Sequence, residues 1–129
     1  MGSSANGLLY YGFVVGGVCE KPEWMDGFDE FDDFVVARAG LENAPDEERW
    51  KAQRDCPAEM RSFGHYDYRS YMLCVRAETF VALDWGNTTE IDPEKLYVDE
   101  KKVNAFKSWC EVNGVEWQEP RWLLCASYT

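Results

Sequence analysis

The sequence predicts an α+β fold in which one mixed or antiparallel sheet of three to five strands packs with two or three helices. Two observations favour this fold: segments rich in β-branched and aromatic residues lie near both ends of the chain, and segments of helical periodicity lie between them. With 129 residues, of which 46% are hydrophobic, the chain is also large enough to bury a core. We therefore expect a single domain over residues 1–129, with a flexible N-terminal segment at residues 1–7.

Runs of β-branched and aromatic residues predict the first strands. Residues 8–18 show no polar alternation, so we expect a central strand that is buried on both faces. Its glycines indicate a bulge or a close approach of the backbone, or the end of the strand at Gly16 and Gly17. The stretch 62–83 is rich in strand formers and predicts one or two strands, with residues 71–75 as the piece closest to the core.

Two helices are predicted between these strands. In residues 28–41 the apolar side chains recur at helical spacing, and Gly40 lies near the expected end. These apolar side chains are Phe28, Phe31, Phe34 and Val35, and acidic residues occupy the opposite face. A second helix should begin after Pro45, because the acidic residues 46–48 suit the positive end of a helix dipole, and it should end before Pro57.

A third helix and a last strand complete the predicted fold. Asp99 is suited to cap a helix that runs to Asn113, with Gly114 as its C-terminal stop. Its apolar positions are spaced by three and four residues, at Val103, Phe106 and Cys110. Residues 121–128 then form another short apolar strand.

The negative charge is concentrated in two stretches of the chain. The formal net charge is −11, from 24 acidic and 13 basic residues. Residues 20–33 contain seven acids and one base, residues 84–100 contain six acids and one base, and the remaining residues sum to zero. Such a chain repels nucleic acid and anionic membranes, so the sequence predicts a basic protein surface as its partner, with no direct contact to nucleic acid or membrane.

Residues 20–33 are the main candidate for that contact because acidic and aromatic residues alternate there. Acidic side chains steer a basic partner, and aromatic rings hold it. The predicted partner-binding residues are Glu23, Trp24, Asp26, Asp29, Glu30, Asp32 and Asp33, followed by Asp84, Trp85, Glu90, Asp92 and Glu94 in the second stretch.

A different interpretation is open for each stretch. The aromatic residues of 20–33 can belong to the core, with the acids keeping that helix solvated, and residues 84–100 can be a solvated connection with a helix cap. If the two stretches lie on one side, their carboxylates imitate the phosphates of a duplex. The protein would then be an inhibitor that competes with nucleic acid for a basic channel.

No catalytic, metal or cofactor signature is present. The glycine-containing run 12–18 lacks the Lys and Ser or Thr of a phosphate loop, and one His with no Cys-x-x-Cys pair does not form a zinc site. A nucleophilic pair such as Cys56 with His65 has no support in the local sequence. We expect a non-enzymatic protein without cofactor or metal. Five widely spaced cysteines and the lack of a secretory signal predict a reducing, cytoplasmic location.

In size, acidity and several segments, the chain resembles the small single-domain proteins encoded by bacteriophages, including anti-CRISPR inhibitors. The segments are YGFVVGG at 11–17, ALDWGN at 82–87, FKSWC at 106–110 and WLLCASY at 122–128. The resemblance implies a protein of counter-defence or host takeover that acts by binding. It carries over no functional residue.

A ligand-binding function is the alternative. The aromatic residues of the second half of the chain, joined by arginines, would form a stacking pocket for a small ligand or nucleotide, and the protein would act as a sponge. The residues concerned are Tyr66, Tyr68, Trp85 and Trp122, with Arg69, Arg76 and Arg121.

Overall fold

The computed structural model describes residues 5–17, 19–65, 68–76, 81–83 and 88–128. Within these residues the chain forms five β-strands, three α-helices and two short 3-10 turns, which confirms the predicted α+β fold. The strands are β1 Ala5–Val15, β2 Ala58–His65, β3 Tyr68–Val75, β4 Val81–Leu83 and β5 Arg121–Tyr128. The helices are α1 Phe31–Arg38, α2 Asp46–Asp55 and α3 Glu100–Val112, and the 3-10 turns are Glu23–Met25 and Pro93–Lys95.

The strand β1 is central, as predicted. One of its edges pairs with β5 over residues 5–12, and the other pairs with β4 over residues 7–9 and with β3 over residues 12–15. The strand β3 pairs in turn with β2, and β2 meets β5 through one parallel bridge between Gly64 and Ser127. The pairings of β1, β3, β2 and β5 therefore close into a ring.

Glycines determine how β1 packs and where it ends. A Cβ atom at Gly12 would lie 2.1 Å from the main-chain oxygen of Leu73, so the close approach of β1 to β3 requires glycine. Gly16 has a φ of 69°, which terminates the strand. A flexible segment was expected at residues 1–7, but β1 begins at Ala5, so residues 5–7 belong to this strand. Residues 1–4 lie outside the described residues.

The start of the strand β2 was missed in the sequence. The predicted stretch 62–83 contains β3, β4 and the second half of β2, which is one strand more than expected, and residues 71–75 lie at the core as predicted. The strand β2 begins earlier, at Ala58. Ala58 and Met60 contact the larger of two apolar clusters, which lies between the sheet and the helices. Glu59 and Arg61 lie on the opposite face, where Glu59 Oε2 is 3.1 Å from Arg61 Nη2. Ala58 and Met60 alternate with Glu59 and Arg61, which is the pattern of a half-buried strand, but the pattern is short and breaks at Phe63, which packs in the cluster on the other face.

The helices follow their predicted boundaries with one exception. The helix α1 spans Phe31–Arg38 and not 28–41, because Glu30 is still extended, with a φ of −125° and a ψ of 148°, and Gly40 adopts a φ of 72° after the last turn. The helix α2 has the expected limits. In α3 the Asp99 Oδ1 accepts a hydrogen bond from the Lys101 amide at 2.9 Å, and Gly114 adopts a φ of 72° after the last turn, as predicted.

Two apolar clusters lie on opposite faces of the sheet. The larger one, between the sheet and the helices, includes Met25, Leu73 and Phe106, which are exposed by 2% or less. The smaller one contains Tyr10, Met72 and Cys74. Successive strand residues point to opposite faces, which is why neighbours such as Met72 and Leu73 are buried in different clusters.

Candidate functional site

The acidic stretch 20–33 presents all of its carboxylates to solvent. We call these seven side chains the acidic surface: Glu20, Glu23, Asp26, Asp29, Glu30, Asp32 and Asp33. Among the residues that the structure describes, none of the seven forms an ion pair. The single base of the stretch, Lys21, donates a 2.6 Å hydrogen bond from Nζ to the main-chain oxygen of Asp29, which links the two ends of the loop.

In the described part of the chain, three acidic residues outside this stretch pair with arginines: Asp46, Asp55 and Glu59. Asp46 pairs with Arg49 in α2. Glu59 is only 9% exposed, and its Oε2 lies 3.1 Å from Arg61 Nη2 and 3.8 Å from Arg76 Nη1. The acidic surface differs from these three acids in that none of its carboxylates forms an ion pair with a base.

An aromatic cluster lies beneath the acidic surface. The ring centroid of Trp24 is 5.0 Å from that of Phe34, and Phe28 contacts the same ring at 5.6 Å. Phe31 and Trp109 pack together at 5.6 Å, which joins the cluster to α3. The three aromatic rings of the stretch, Trp24, Phe28 and Phe31, are thus used in packing. The acidic side chains lie above this packed cluster.

This packing separates the two interpretations of the aromatic residues. Phe31 and Phe34 are buried, at 9% and 2% exposure, so the idea that they hold a partner is wrong and they belong to the core. Trp24 and Phe28 are half-buried. Of the predicted partner-binding residues, the six acids in 20–33 are exposed and Trp24 keeps part of its ring at the surface.

The described part of the second acidic stretch, residues 88–100, forms the connection from β4 into α3, in agreement with the interpretation of this stretch as a solvated connection with a helix cap. Asp84 and Trp85 lie outside the described residues. Asp92 Oδ1 accepts a hydrogen bond from the Glu94 amide at 3.1 Å and caps the turn Pro93–Lys95. Glu90 and Glu94 are exposed, and neither forms an ion pair in the described part of the chain.

The helix α3 separates the two stretches. The aromatic cluster reaches α3 at Trp109, whereas the second stretch leads into the helix at its cap, Asp99. Ten residues of α-helix span about 15 Å along the axis. The second stretch therefore joins α3 about three turns away from the cluster that carries the acidic surface.

Glu23 and Trp24 also line an open cavity of about 600 Å³ beside the acidic surface. Its other wall includes Glu116 and Gln118, in the loop that follows α3. Glu116 is far from 20–33 in the chain, and its local sequence contains no signal that indicates a site. Only the fold brings its carboxylate to the same cavity as Trp24.

The residues of the predicted stacking pocket are dispersed. The Trp122 ring packs on Tyr11 at 5.2 Å, Tyr68 is 65% exposed, and Arg76 donates from Nε to the Cys56 main-chain oxygen at 2.8 Å. Tyr66 and Trp85 lie outside the described residues, and Arg121 is exposed on β5. Arg69 lines a cavity of about 260 Å³ together with Tyr71, whereas Arg76 lines a different cavity of about 340 Å³.

The buried thiols are poorly suited to nucleophilic chemistry. Burial raises the pKa of the Cys56 thiol, and it raises the pKa of Cys110 to about 12. A nucleophile must be a thiolate, which these two groups do not become near neutral pH. Across the described ranges, no three His, Cys, Asp or Glu side chains are grouped to hold a metal ion.

Comparisons with protein-family models, with curated proteins and with solved structures found no match for this chain. Among the described residues, no helix has both the length and the apolar character needed to cross a bilayer. The function must therefore be argued from the geometry of the surface itself.

Proposed function

We propose that this protein acts by binding, and that its acidic surface occupies a basic surface on another protein, of the kind that ordinarily holds nucleic acid. One observation carries the proposal: within the described residues, seven exposed carboxylates have no ion pair and lie above a packed aromatic cluster. The aromatic cluster already orders the backbone that carries these carboxylates, so little loop ordering is required on association.

Charge complementarity gives this contact its rate and its specificity. A concentrated negative surface attracts a cationic partner over about one Debye length, roughly 8 Å at physiological salt, and speeds the encounter. Each exposed ion pair contributes about 0.2 to 1 kcal/mol. Four such pairs would add about 1 to 4 kcal/mol, or roughly fivefold to a thousandfold in affinity.

The class of partner follows from the same charges. A channel that binds a phosphate backbone carries many Lys and Arg side chains, which contact the phosphates of one nucleic acid molecule. A protein whose carboxylates occupy that channel excludes nucleic acid and inhibits the enzyme. The resemblance to small acidic bacteriophage proteins, including anti-CRISPR inhibitors, supports a host nucleic-acid-binding enzyme as the target and a cytoplasmic site of action.

The test compares three forms of the protein as bait in extracts of its native host. The first is the wild type, and the second carries Ala at Asp29, Glu30, Asp32 and Asp33. The third is a matched control with the same change in net charge, in which four exposed acids outside the acidic surface become Ala: Glu42, Glu47, Glu48 and Glu119. A partner retained by the wild type and the control but lost from the second bait supports the proposal.

Two further results decide the matter. The captured partner should be released by duplex DNA or by RNA, since both compete for one basic surface. A partner that the second bait retains as well as the wild type, or that nucleic acid does not displace, contradicts the proposal.

A small anionic ligand is the second candidate, favoured by the cavity that holds Arg69. Lys21, Ser62 and Tyr71 line the same cavity, which gives two cations, two hydroxyls and one ring for a ligand phosphate or base. Asp29 and Glu30 line it too and oppose an anion. Calorimetric titration with nucleoside mono-, di- and triphosphates tests this candidate: binding that is lost in Arg69→Ala favours it, and the absence of heat excludes it for nucleotides.

A further inference from the structure

The open cavity beside the acidic surface combines a ring, two carboxylates and an apolar strand end. Trp24 and Glu23 come from the 3-10 turn, Glu116 comes from the loop after α3, and Val14, which is 46% exposed, comes from the end of β1. The volume of about 600 Å³ is within the range of protein ligand sites.

The charge of this cavity distinguishes it from the others. Among the residues that the structure describes, no Lys or Arg lines it, and both Glu23 and Glu116 do. Four further cavities each include a cationic residue: Lys21 in two of them, and Arg61 or Arg38 in the others. With two acids and no base, the Trp24 cavity is the most negative of these five, because each of the other four holds at least one base that offsets its acids.

We propose that this cavity is an arginine pocket, in which the bound basic protein inserts one arginine side chain along Val14 and the Trp24 indole, with its guanidinium at Glu23 and Glu116. The inference rests on the proposed function, since it assigns one anchor contact within that larger acidic interface. Glu116 lies outside the acidic stretch. The arginine pocket therefore predicts that Glu116 contributes to binding, which the acidic surface alone does not predict.

Arginine fits these groups better than lysine. Its planar guanidinium stacks on an indole and forks onto carboxylates through several N–H donors, whereas an ammonium is a compact, strongly hydrated point charge. The aliphatic part of the arginine side chain covers an apolar neighbour such as Val14 while the charged end stays with the acids.

The test uses two synthetic probes of equal charge, hexa-arginine and hexa-lysine, titrated calorimetrically at low ionic strength. The wild type should bind hexa-arginine at least about fivefold more tightly than hexa-lysine. In Glu116→Gln the affinity for hexa-arginine should fall about fivefold, and the preference over hexa-lysine should disappear.

Glu119→Gln is the matched control. Glu119 is exposed in the same loop, carries the same charge and does not line the cavity. Its substitution should change the affinity for hexa-arginine by less than about twofold and keep the preference for arginine.

The outcomes separate this inference from the proposed function. If Glu116→Gln and Glu119→Gln behave alike, or if the wild type binds both peptides equally, the arginine pocket is wrong while the acidic surface still stands. If neither peptide binds the wild type, the proposed function is contradicted and the pocket with it.

Discussion

The indole of Trp24 lies 5.0 Å, between ring centroids, from the buried ring of Phe34. This contact ties the turn that carries Glu23 to the helix that carries Asp32 and Asp33, so one packed unit positions acids from two elements. Arg38 Nε donates to Asn113 Oδ1 at 3.2 Å and joins the other end of that helix to the end of α3. The position of the acidic surface therefore depends on the packing of the aromatic cluster beneath it.

Removing the ring of Phe34 should destabilise the whole protein. Phe34 is 2% exposed, and truncation of a buried Phe to Ala costs about 3 to 5 kcal/mol through lost burial and the cavity left behind. Urea denaturation of Phe34→Ala measures this loss. Trp50→Ala is the control, because Trp50 is 62% exposed on a helix with no buried residue and its removal should change stability by less than about 0.5 kcal/mol. Equal effects of the two substitutions would mean that the aromatic cluster does not support the fold.

Removing four acids from the acidic surface should leave the fold intact. Ala at Asp29, Glu30, Asp32 and Asp33 relieves mutual repulsion, but it also removes two acids from the first turn of α1, where they favour the positive end of the helix. These effects oppose each other, so the free energy of unfolding should change by less than about 1 kcal/mol. Circular dichroism and urea denaturation give the answer, and an unfolded variant would assign these carboxylates a structural role.

The two aspartate caps should differ in their effects on stability. Asp99 caps the 13-residue helix α3, so Asp99→Ala should lower the free energy of unfolding by about 1 kcal/mol. Asp92 caps only the three-residue turn Pro93–Lys95, and Asp92→Ala should have a smaller effect. Thermal and urea denaturation of both variants provide the comparison. A larger loss in Asp92→Ala would contradict the view of the second stretch as a solvated connection.

Stability should fall in alkaline solution because the Cys110 thiol is buried. Burial raises its pKa in the folded protein to about 12, from 9.0 for an unperturbed thiol. Above pH 9 the unfolded chain loses this proton while the folded protein keeps it, so the stabilisation is complete below pH 9 and is lost as pH rises toward 12. Each such thiol contributes a slope of about 1.4 kcal/mol per pH unit. Urea denaturation at several pH values should show a shallower decline in Cys110→Ala than in the wild type, and parallel declines would exclude this cause.

The elements with strong local signals could be predicted from the sequence. The helix α3 has its cap Asp99 and its stop Gly114 where the sequence places them, and β1 is central because its apolar run suits burial on both faces. The start of β2 was missed because its alternation of apolar and charged residues covers only 58–61 and breaks at Phe63, which packs on the other face of the sheet.

The candidate site could be predicted only in part. The local excess of acidic residues predicted the exposed carboxylates, because charged side chains without partners remain in water. The burial of Phe31 and Phe34 was one of two interpretations until the contacts with Trp109 decided it. Glu116 could not be found, since its position beside Trp24 depends on how α3 ends against β1.

The salt dependence of partner binding tests the central claim most directly. The affinity of the captured partner is measured at rising salt concentration for the wild type, for the variant with Ala at Asp29, Glu30, Asp32 and Asp33, and for the matched control. We predict that wild-type and control affinities fall steeply as salt rises, while the four-acid variant binds weakly at every concentration. Wild-type binding that does not change with salt, or a four-acid variant that binds as tightly as the control, would contradict the claim that the acidic surface binds a basic partner.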